Sequence, residues 1–118
     1  MSFFKRRILS FKYAFQGFRW AFATQPSFWI HLVAAIVVTI LGFYFDIQKI
    51  EWIILIGCIA SVFTLEFINT ALEWMVDSVY KEKHPLAGKI KDVAAAAVLV
   101  VAMGTAVIGV IIFYPYFF

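Results

Sequence analysis

Apolar positions follow two different rhythms along the chain. Near its start, Phe4, Ile8, Phe11, Phe15, Phe18 and Phe22 recur at alternating steps of four and three, which stacks them into one narrow helical stripe. Lys5, Lys12, Gln16 and Arg19 form a second stripe, roughly 100° away around the same helix axis. This pattern predicts an amphipathic surface helix and elbow over residues 1–25, lying in the plane of an interface. Lys12, Gln16 and Arg19 interrupt any apolar run that a cleavable leader would need, so the segment is not read as one. Thr24-Gln25-Pro26-Ser27 marks the elbow, because proline is accommodated in the first turn of a helix.

Beyond the elbow the rhythm gives way to long uncharged runs. Phe28–Phe45 is interrupted only by His31 and Thr39, and Val93–Phe118 holds no charge at all. Between them, Trp52–Leu65 is apolar or small and continues as a helical pattern that carries Glu66, Asn69, Glu73 and Asp77. A stretch of about 20 apolar residues crosses the hydrocarbon of a bilayer as a helix. The pattern therefore predicts three transmembrane helices, at residues 28–45, 52–80 and 91–117, in a single all-α membrane domain spanning 1–118.

Composition strengthens this reading. Of 118 residues, 64% are hydrophobic and only 14% charged, against about 45–50% and about 25% in soluble domains. The fourteen Phe, five Tyr and four Trp are more aromatic surface than a small soluble domain can hide. A formal charge of +3 is too small and too scattered for a nucleic-acid stripe. The single Cys58 excludes an intrachain disulfide and a multi-cysteine metal site. Charge placement orients the spans. Residues 1–24 carry Lys5, Arg6, Arg7, Lys12 and Arg19 with no acid, and residues 81–92 carry Lys81, Lys83, Lys89 and Lys91 against Glu82 and Asp92. The first link carries Asp46, Lys49 and Glu51, which is net negative. The positive-inside rule places the N-terminus and the second link in the cytoplasm.

Chemistry concentrates in the second span. At 100° per residue, positions 66, 69, 73 and 77 lie within roughly 80° of one another, so Glu66, Asn69, Glu73 and Asp77 form a ladder of oxygen ligands on one face. A carboxylate at bilayer depth is costly and normally faces the bundle interior for a purpose. Asp77 alone also suits a simple interfacial position, but Glu66 lies three turns deeper and is too short to snorkel. Lys91 and Asp92 are expected in the first turn of the third span, on the same membrane side as Glu73 and Asp77. Carboxylates with an amide oxygen suit Mg²⁺, which borrows further oxygens from a phosphate chain, and nearby lysines suit the phosphates. Such a set can position and neutralise a phosphoryl group for transfer. The lysines also satisfy the positive-inside rule whatever the function; His84 reads as a loop histidine and His31 as an interfacial anchor or a participant. A non-enzymatic adaptor, or a proton or cation conduit lined by the ladder, is the alternative. Against a conduit, the outer half of the second span offers only Ser61 and Thr64.

Glu66-x-x-Asn69-x-Ala71-x-Glu73-x-x-x-Asp77, followed by Lys91-Asp92-x-x-Ala95-x-Ala97-Val98-Leu99, resembles the signature of the prokaryotic diacylglycerol kinase and undecaprenol kinase family. The resemblance includes Gly17-x-Arg19 and covers essentially the whole chain. It implies a homotrimer in the bacterial inner membrane that transfers the γ-phosphate of ATP, with Mg²⁺, to the hydroxyl of a membrane lipid at sites between subunits on the cytoplasmic face. By position, Glu66 resembles the general base and Glu73 a Mg²⁺ ligand. Asn69, Asp77, Lys91 and Asp92, with Arg19, resemble residues that hold the nucleotide and its metals. This chain departs from the family pattern in two places. Gln25 stands where a metal-binding glutamate is common, keeping an amide oxygen without the charge, and Trp29 replaces a frequent arginine. Both diacylglycerol and undecaprenol fit as acceptor, and Ile30-His31-Leu32 leans toward undecaprenol.

Overall fold

The computed structural model describes residues 2–118 as four helices, α1 (Phe3–Thr24), α2 (Pro26–Phe45), α3 (Lys49–Val79) and α4 (Pro85–Phe117). Among the described residues there is no strand. The three later helices are each long and apolar enough to cross a membrane.

Local chemistry sets each boundary. Ser2 caps α1 by accepting the Lys5 N–H at 3.3 Å, which satisfies one of the free donors of the first turn. At the other end Gln25 is extended, with φ −118° and ψ 106°, as expected for a residue whose successor is proline. Pro26 then opens α2, where its missing N–H costs nothing. The end of α2 is Asp46, held in the left-handed region at φ 50°, a conformation that Asp tolerates better than most side chains. The N–H groups of Asp46 and Ile47 return to the carbonyls of Phe43 and Gly42. Glu51 reaches back to the Gln48 N–H at 2.9 Å to start α3, and His84 starts α4 by accepting the Leu86 N–H at 3.1 Å through Nδ1. His84 is thus a helix cap. With Pro85 behind it, α4 begins well before the expected residue 91, and Lys91 and Asp92 fall in its second turn, not its first.

Helices α2, α3 and α4 are successive antiparallel neighbours. Glu51, at the start of α3, accepts a hydrogen bond from the Tyr116 hydroxyl at the end of α4, while Asp77, late in α3, pairs with Lys91, early in α4. Two packing nodes hold the chain. At the far end from the elbow, Ile47, Leu55, Ile112 and Phe113 are buried together, with Phe45, Trp52 and Tyr116 against them. Gly42 belongs to this node: a Cβ there would sit 2.6 Å from the Trp52 ring. At the elbow, Phe28 is fully buried among Phe22, Phe63 and Phe67, with ring centroids 4.7–6.3 Å away. Trp29 adds a hydrogen bond from Nε1 to the Phe22 carbonyl at 2.8 Å. Trp29 therefore ties α1 to α2.

Elsewhere the usual inside-outside pattern is inverted. Val93, Val100 and Ile111 of α4 and Ile30, Val33 and Ile40 of α2 lie on the outside, which suits a chain whose solvent is hydrocarbon or other apolar helices. On α1, Phe4, Ile8, Phe11 and Phe15 are exposed, whereas Phe18 meets Phe67 edge-on at 4.8 Å and Phe22 packs into the elbow node.

Candidate active site

Glu66 is 5% exposed, in the part of α3 that faces the start of α2. A carboxylate so placed must find donors or lose several kcal/mol of solvation. It finds two. Ser27 Oγ donates to Oε2 at 3.1 Å and His31 Nε2 lies 3.0 Å from Oε1. Ser27 and His31 are four residues apart on α2 and so stand one above the other on one face. Their position in the first two turns of α2 also places the Glu66 charge near the positive end of that helix.

The rest of the ladder resolves into separate contacts along α3. One turn on from Glu66, Asn69 Nδ2 donates to Glu73 Oε1 at 3.2 Å, while Asn69 Oδ1 is buried with no hydrogen-bond partner among the described residues. A further turn on, Asp77 Oδ1 meets Lys91 Nζ of α4 at 2.5 Å on a more open surface. Four side chains expected on one face therefore do share α3, but Glu66 turns to α2, Asn69 and Glu73 to each other, and Asp77 to α4. Asp92 and Arg19 are exposed. Gln25 is half-buried in the elbow, its N–H on the Ala21 carbonyl at 2.9 Å and its carbonyl accepting from Phe28 at 3.2 Å.

Ser27 had no chemical role in the sequence pattern, where it was simply part of the elbow. Its four-residue spacing from His31 was the available signal. His31 has a second exposure: it lines a cavity of about 490 Å³ between α2, α3 and α4, whose other walls include Ala35, Val62, Phe63, Ala106 and Phe113. His31 thus links the buried carboxylate to an apolar hollow.

No cluster of three or more His, Cys, Asp or Glu side chains occurs among the described residues. What the chain offers a cation is one carboxylate, Glu73, beside one orphaned amide oxygen, Asn69 Oδ1. This hard, sparse donor set fits Mg²⁺, which is commonly held by one or two carboxylates plus substrate phosphates and water.

The chain is similar to known proteins over most of its length. The family model for prokaryotic diacylglycerol kinase matches residues 12–113. The chain is 42% identical over 106 residues to the undecaprenol kinase of Bacillus subtilis, covering 90% of this chain and 86% of that one. It is 36% identical over 93 residues to the diacylglycerol kinase of Haemophilus influenzae, with 79% of each chain covered. It is 29% identical over 114 residues to the diacylglycerol kinase of Escherichia coli K12, covering 97% and 93%. With a buried carboxylate on the second of three membrane-length helices and a family match over most of its length, the chain belongs to the prokaryotic diacylglycerol kinase family of membrane phosphotransferases.

Proposed function

We propose that the protein is an ATP- and Mg²⁺-dependent lipid kinase that transfers the γ-phosphate to the hydroxyl of a membrane lipid at the cytoplasmic face of a bacterial inner membrane. The observation that carries this reading is Glu66: a carboxylate 5% exposed, hydrogen-bonded to Ser27 and His31, the latter of which lines an apolar cavity. In that reading Glu66 is the general base that takes the proton of the lipid alcohol as its oxygen bonds to the γ-phosphorus and the bond from that phosphorus to the bridging oxygen breaks, releasing ADP. The alcohol approaches from the apolar side, and its chain stays in a hydrocarbon environment while the hydroxyl meets the carboxylate. On the other side, Glu73 and Asn69 Oδ1 would hold Mg²⁺, with Gln25 a further amide oxygen for it. The ion, when bound, neutralises charge on the phosphates. Lys91, kept in place by Asp77, Asp92 of the same turn and Arg19 of α1 contact the nucleotide.

The acceptor is one of two lipid alcohols. The relatives divide between them, and identity is 42% to the undecaprenol kinase of Bacillus subtilis against 29% to the diacylglycerol kinase of Escherichia coli, which together with Ile30-His31-Leu32 favours undecaprenol. Vesicles carrying the protein, given γ-labelled ATP and Mg²⁺, are expected to label undecaprenol faster than diacylglycerol when the two are supplied side by side. Equal labelling would remove the preference, and label in neither would remove the function. Glu66→Gln is expected to lower the rate by about 10²–10⁴, the usual contribution of a general base; a loss below about tenfold argues against the assignment.

A further inference from the structure

We propose that His31 and Ser27 are positioning residues that hold the Glu66 carboxylate in the orientation that receives the lipid hydroxyl. The proposal rests on the reading of Glu66 as the base and goes beyond it, since it concerns side chains on a different helix.

The geometry points this way for three reasons. Each oxygen of Glu66 has its own partner, His31 Nε2 on Oε1 at 3.0 Å and Ser27 Oγ on Oε2 at 3.1 Å. Two donors on two oxygens fix the plane of the carboxylate as well as its position, which one donor would leave free to swing about the terminal torsion. An ionised carboxylate only accepts, so in the reading of Glu66 as the base His31 donates through Nε2 to Oε1. Neither donor needs to give up its proton, and each carboxylate oxygen keeps a lone-pair direction for the substrate hydroxyl.

The placement of His31 supplies the second reason. Its ring meets the carboxylate at one nitrogen and also lines the apolar cavity between α2, α3 and α4. The residue that orients Glu66 therefore forms part of the wall along which a lipid chain would lie.

The third is that both donors are mounted rigidly. Ser27 and His31 share one face of the first two turns of α2, and Phe28 between them is fully buried in the aromatic node. Packing of Phe28 against Phe22, Phe63 and Phe67 fixes the rotation of α2 about its axis, and with it both donors.

Two substitutions separate positioning from bulk. His31→Phe keeps an aromatic ring and removes the donor, whereas His31→Gln keeps an N–H donor and removes the ring. With the full chain in vesicles containing undecaprenol or diacylglycerol, whichever is turned over, His31→Phe is expected to lower kcat by about tenfold or more with KM for ATP and lipid within about threefold. His31→Gln is expected to recover kcat to within about threefold of the unsubstituted protein. Equal losses in the two variants, or a loss carried by KM at unchanged kcat, would overturn the proposal. Ser27→Ala, which deletes one hydroxyl from a helix turn, carries the test if His31→Phe does not fold: a kcat lowered about threefold or more is expected, and an unchanged kcat overturns it. The two readings fail differently. Full activity in Glu66→Gln removes the base itself, whereas an inactive Glu66→Gln beside a fully active His31→Phe leaves the base in place and removes only the positioning.

Discussion

Glu66 and Gln25 show how much a single side chain can say, and how differently. A glutamate three turns inside an apolar helix has no cheap structural explanation, so its type and depth alone make it the residue to test for function. The partners that make its burial tolerable, Ser27 and His31, lie 39 and 35 positions away along the chain, and no local pattern links them to it. Gln25 carries the opposite lesson. By the resemblance alone it stands where a metal-binding carboxylate is expected, and its amide oxygen brings dipole without charge. If it contributes to the Mg²⁺ site, Gln25→Glu adds the missing charge, and the Mg²⁺ concentration for half-maximal rate is expected to fall by about tenfold, the scale of one added charge-assisted contact. A titration of rate against Mg²⁺ checks this, and an unchanged or raised requirement takes Gln25 out of the site.

Helix boundaries were written locally, in Ser2, the Gln25-Pro26 pair, Asp46 and the His84-Pro85 pair. The uncharged run alone predicts a later start for α4 than the His84 cap and Pro85 give it. Those residues show that a helix outlasts the apolar part of its sequence, and Lys91 and Asp92 consequently sit one turn further into α4. Contacts between helices were less legible. Gly42 looks like any glycine in an apolar run, yet a Cβ there would lie 2.6 and 2.8 Å from two carbons of the Trp52 ring and 3.2 Å from Ile47. Gly42→Ala gains about 1 kcal/mol of helix propensity and loses more to overpacking, which runs about 1–3 kcal/mol. The unfolding midpoint in detergent is therefore expected to fall, and Trp52→Leu in the same chain to recover part of the loss. A midpoint equal to or above that of the unsubstituted protein would show that the ring moves aside freely.

The molecule as a whole, 52 × 44 × 21 Å, is a thin slab with few fully buried side chains and large apolar faces on α2 and α4. One copy also supplies few oxygens for a cation. The trimer that the resemblance implies would cover some of those faces with further copies and bring further oxygens to each site. Light scattering of the detergent-solubilised protein is expected to give three chains per particle, with activity per chain falling as dilution in detergent dissociates it; an active single chain would exclude shared sites. By itself the sequence determined the three membrane-length helices, because hydrocarbon thickness sets a length and a polarity that composition must obey. It likewise determined which helix bears the acids, since a charged side chain among apolar ones is visible wherever it occurs. Only the tertiary structure decided that Glu66 turns to α2, Asp77 to α4, and Asn69 to Glu73. Residues on one helical face share a direction, but the neighbour each one meets depends on how antiparallel helices stack, and that depends on contacts such as Phe28 in its aromatic node and Gly42 against Trp52, which join residues far apart in the chain.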